Sequence, residues 1–173
     1  EHATAHLRRV SVRNCTAGAR NGGGMYVEAA TVSLEDSEVT GNAASGSGGG
    51  LALFKYSAVT LVRSAVTGNS AGADGNGGGV ILQSASTLTA TEGSVVGWNT
   101  CGSSGGGVWL DGTSRADFTG RDVAVAGNVA LRGSGGGLFI FGGSAVLRGA
   151  SVAGNHAGDP NATAVKNAFT VIK

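Results

Sequence analysis

Apolar residues in this chain recur in short alternating runs of three to six residues, rich in β-branched side chains and bounded by glycine and small polar residues. No stretch of useful length shows the 3.6-residue spacing of an amphipathic helix, so the pattern predicts strands throughout. The runs themselves repeat. Triple glycines stand at 22–24, 48–50, 77–79, 105–107 and 135–137, with steps of 26, 29, 28 and 30 residues. Each opens the same order of glycines, an alternating run, a small-residue turn, a second run and a third run close to Val-Thr-Gly-Asn, as in GGGLALFKYSAVTLVRSAVTGN. A second column supports the register: Leu7, Leu34, Leu61, Ala90, Phe118 and Leu147 each stand five residues before Val12, Val39, Val66, Val95, Val123 and Val152.

A fixed period of this size marks a stacked array. Three short strands per period of roughly 27 residues describe one coil of a parallel β-helix, each coil about 4.8 Å above the last. The chain is therefore expected to be an all-β, right-handed parallel β-helix of about six coils in a single segment, residues 1–173, with right-handed winding the default for parallel crossovers. Glycine at a fixed turn suits positive φ or close approach between layers. At the Thr-Gly-Asn corner, Asn42, Asn69, Asn128 and Asn155 are expected to form a ladder of side-chain amides bonding to the coils above and below. In the first coil Asn14 takes the glycine position and Cys15 the asparagine position. In the fourth, either Trp98 takes the asparagine position or the chain bulges to keep Asn99 there.

Alternation also assigns faces. The first and third residues after each triple glycine are uniformly apolar and point inward: Met25 and Val27, Leu51 and Leu53, Val80 and Leu82, Val108 and Leu110, Leu138 and Ile140. The second and fourth then face out, which creates a file containing Tyr26, Phe54, Ile81, Trp109, Phe139 and Phe141. An exposed apolar file marks either an interface or a face covered by another segment of the same polypeptide. These six residues are the candidate binding set, with protein contact ranked above stacking on sugar.

Composition sharpens this picture. With 33 glycines and one proline the chain could pass for a linker, but 41% hydrophobic residues imply an ordered, glycine-punctuated fold. A formal charge of +1 gives no electrostatic reason for nucleic acid or an anionic membrane. No apolar run approaches the roughly 20 residues that span a bilayer, so no direct membrane insertion is expected.

Candidate chemistry is sparse. A β-helix lyase or hydrolase clusters carboxylates on one face, often with Ca²⁺, whereas the acids here are scattered. Asp111 with Arg115 or Asp117 is the best local grouping. His2, His6 and His156 lie towards opposite ends, and the aspartate-bearing calcium nonapeptide is missing, so no catalytic set, metal or cofactor is expected. Only the TLTAT run at 87–91 approaches the threonine pattern of an ice-binding face. Cys15 and Cys101 are about three coils apart, too far for a mutual disulfide, and are expected to be free or paired outside the segment. Asn14 in NCT and Asn161 in NAT are glycosylation candidates, Asn161 the preferred one in a secreted eukaryotic protein.

The GGGV and GGGL units followed by VTGN or VAGN resemble the Gly-Gly repeats of polymorphic outer-membrane proteins, which pair a Gly-Gly-Ala/Ile motif with Phe-x-x-Asn. The resemblance covers nearly all of the chain and implies a pectin-lyase-like β-helix, a fold that includes both enzymes and non-catalytic surface proteins. The chain begins and ends inside a coil, which reads as a stretch of a longer polypeptide. The expected function is a non-catalytic extracellular structural or adhesion module of a larger cell-surface or filament protein, binding other segments of that polypeptide or another surface protein, or less favourably glycan. A carbohydrate-active lyase or hydrolase is the alternative.

Overall fold

The computed structural model describes residues 2–159, 165–166 and 170–172, and it is a parallel β-helix of about six coils with no helix among those residues. One coil runs Leu51–Phe54, Ala58–Val62, Ala65–Thr67 and Ser70–Ala71. Each strand pairs in parallel with its counterpart one coil away, which yields four sheets along the axis, one of seven strands and three of six. They are named here the glycine sheet, the long sheet, the valine sheet and the short sheet, in the order of that coil. The three strands expected per coil are all present, and the short sheet adds a fourth ladder of two residues after each corner asparagine.

Register follows the apolar columns. Leu51, Val80, Val108 and Leu138 stack in the glycine sheet, as do Leu53, Leu82, Leu110 and Ile140, and all eight are buried. From the long sheet Leu34, Leu61, Ala90, Phe118 and Leu147 fill the same interior, closed on the third side by the valine sheet. The valine column differs from the expected one in two coils. Val96 and Val125, not Val95 and Val123, stand in register with Val66 and Val152. Extra residues in the turns at Glu92–Ser94 and Gly120–Val123 absorb the offset, and Val123 is buried as an additional core residue.

Each glycine of the triplet has its own reason. Gly48 has φ +66, Gly49 offers no room for a Cβ against the backbone of Ser70, and a Cβ on Gly50 would come within 2.9 Å of the Asn69 amide. The triplet thus lets the chain turn, approach the short sheet and pass beneath the asparagine ladder in three consecutive residues.

Candidate functional site

The outer face of the glycine sheet is the candidate site. Tyr26, Ala52, Ile81, Trp109 and Phe139 occupy one column, and Glu28 pairs with Phe54 in the next. The aromatics gather in two groups. The Tyr26 and Phe54 rings stack with centroids 5.2 Å apart. Trp109 lies near-parallel to Phe139 at 6.4 Å and to Phe141 at 6.3 Å. Phe141 is 64% exposed and Tyr26 is 52% exposed, while Phe54, Trp109 and Phe139 are half-buried. Ile81 corrects the expected file: it is only 3% exposed. The turn at Gly48 closes over it, near enough that a Cβ there would lie 2.8 Å from Ile81 Cγ2. With Ala52 also buried, the file becomes two aromatic knobs separated by a low saddle.

Polar groups frame the first knob. Tyr26 Oη donates to Glu28 Oε2 at 3.0 Å, and Lys55 pairs with the same carboxylate, which lowers the Glu28 pKa below the usual carboxylate range. Burial and the hydrogen bond to Glu28 raise the Tyr26 pKa. A groove of about 830 Å³ runs beside this knob, lined by residues that include Arg20, Asn21, Tyr26 and Glu28.

Beneath the face, the corner asparagines form a continuous column. The side-chain oxygen of Asn69 accepts from the backbone N–H and Nδ2 of Asn42, Asn99 does the same for Asn69, Asn128 for Asn99 and Asn155 for Asn128. Each Nδ2 also donates to a valine-sheet carbonyl, Val66 O in the case of Asn99. Asn99 is therefore a rung, and Trp98 takes the glycine position with φ +53 without any bulge. In the first coil Asn14 has φ +55 and the Cys15 N–H donates to Asn42 Oδ1. Buried serines form two further ladders that the sequence reading missed. Ser64 and Ser94 accept from the N–H of the serine one coil below, and Ser114 accepts from Ser86. Their signal was a serine recurring at coil spacing just before the second and third runs.

Most carboxylates are engaged, and among the described residues the oxygen that stands out is Asp117 Oδ1, buried without a hydrogen-bond partner. At the corner between the long and valine sheets, Arg9, Asp36, Arg63 and Glu92 follow one another in successive coils, all with φ between 47° and 53°. Arg63 Nε binds Asp36 Oδ1 at 2.7 Å and its other nitrogens reach Glu35 and Glu92, which lowers the Asp36 pKa and raises that of Arg63. The steps of 27, 27 and 29 residues make this alternating-sign column visible in the sequence, and it gathers acids that look scattered strand by strand.

Asp111 closes a turn. Its Oδ2 accepts from the Ser84 N–H at 2.7 Å, and its Oδ1 accepts from the backbone and hydroxyl groups of Thr113 and Ser114. Partial burial pushes its pKa up, but these hydrogen bonds outweigh that and lower it. Arg115 Nε binds Asp117 Oδ2 at 2.8 Å. Asp111 is engaged by its own turn and by Ser84 of the neighbouring coil, and no hydrogen bond or ion pair joins it to Arg115 or Asp117.

Cys15 is exposed, and Cys101 is buried with its pKa pushed up to about 11 by desolvation. The two are free thiols in separate environments. His2 Nε2 lies 3.0 Å from Thr31 Oγ1. Among the described residues no three His, Cys, Asp or Glu side chains are grouped to hold a metal, and no helix is long and apolar enough to cross a membrane. Asn14 is exposed, and Asn161 lies outside the described residues.

A family model described as a right handed beta helix region matches residues 3–170. No curated protein and no solved structure matches the chain.

Proposed function

From the premise that the chain belongs to the right-handed β-helix family, we propose that it is a non-catalytic structural and adhesion module of a larger extracellular, cell-surface or filament protein. It engages a protein partner, in preference to glycan, through the outer face of the glycine sheet. Within the family, its repeat is read as the Gly-Gly type of polymorphic outer-membrane proteins, on a pectin-lyase-like coil.

The observation that carries this reading is the second knob, Trp109 and Phe139 on adjacent strands of the glycine sheet with Phe141 just past the end of the second, the rings near-parallel and Phe141 64% exposed. Rigid aromatics presented on a pre-formed surface lose little conformational entropy on binding and are favoured anchors of protein interfaces. The engaged acids weigh against a lyase or hydrolase: Asp111 accepts from its own turn and from Ser84 of the neighbouring coil, and Glu35, Asp36 and Glu92 are ion-paired to Arg63.

The test is to present the chain on beads to a panel of extracellular-matrix and surface proteins and to a glycan array, beside a Trp109→Ser/Phe141→Ser variant. Saturable binding to a protein that the variant loses supports the reading. Cleavage of an acidic polysaccharide in the presence of Ca²⁺, abolished by Asp111→Asn, overturns it in favour of the enzyme.

A further inference from the structure

We draw no further inference here: the strongest candidate, the surface patch at the corner after the valine sheet where the exposed Trp98 indole lies over Gly127, carries nothing because no feature of the structure shows what covers it.

Discussion

Asn99 Oδ1 accepts two hydrogen bonds from Asn69, one from its backbone N–H and one from its side-chain Nδ2, each at 2.9 Å. One buried oxygen thereby fixes both the position of the next coil and the orientation of the next rung. The same motif links four pairs of rungs from Asn42 to Asn155, and removal of the Asn99 side chain leaves both Asn69 donors without that acceptor and the Val66 carbonyl of the same coil without this donor, while Asn128 Oδ1 keeps only the Asn99 backbone N–H.

Asn99→Ala is expected to cost about 3 kcal/mol, since Asn69 loses its shared acceptor and Val66 O loses its donor inside the protein. A urea titration of the variant beside the wild type measures it. A change below about 0.5 kcal/mol, the range of ordinary surface substitutions, would show that water or a neighbour replaces the rung.

Gly49→Ala tests close approach rather than hydrogen bonding. The added methyl meets the Ser70 backbone, which belongs to a rigid strand, so about 3 kcal/mol is lost or the coil fails to form. Gly18→Ala, where a Cβ has nothing within 4 Å, serves as the control and is expected to leave the thermal midpoint unchanged.

How far the sequence disclosed all this differs from element to element. The ladder was legible at Asn42, Asn69, Asn128 and Asn155 because glycine and asparagine recur together at a corner that repeats one layer apart. Asn99 was ambiguous because Trp98 replaced the glycine that marks the corner, and only the backbone shows that tryptophan adopts the same positive φ. Val95 and Val123 were misplaced because a count from the long-sheet column assumes turns of constant length, and two turns are longer. Ile81 shows the limit of alternation, which gives the direction of a side chain and says nothing of what closes over it. The Arg63 column was present in the spacing but straddles two sheets, so a strand-by-strand reading divided it.

Acid sensitivity follows from the depressed carboxylates. Glu28, Asp36 and Asp111 all have folded pKa values below their usual ones. Their contribution is therefore complete above the usual carboxylate range, about pH 4, and is lost as the pH falls through it towards the folded values. Denaturant midpoints measured from neutrality downwards should fall along that limb. Asp111→Asn should lower the neutral plateau and flatten the limb; an unchanged limb would remove Asp111 from the account.

The two thiols should react differently. A thiol reagent added to the native chain modifies Cys15 promptly, while Cys101, buried and with its pKa pushed up to about 11, reacts only after denaturant is added. Equal native rates would mean that the short-sheet corner opens readily.

Phe141→Ser separates binding from folding. Its side chain is 64% exposed, so stability should change by no more than about 0.5 kcal/mol. Adhesion through the glycine-sheet face should nonetheless fall, as read by bead binding beside a thermal melt.

The two long turns at Glu92–Ser94 and Gly120–Val123 lengthen their coils without moving the asparagine that follows. Each rung thus re-zeroes the count, and slippage in one coil is not handed on to the next. A chain built this way tolerates changes of length that would be ruinous in a sheet with a single running register. Whole coils can be gained or lost by recombination between units, since any rung can accept any other, and the rod can be cut to different lengths while its faces stay aligned.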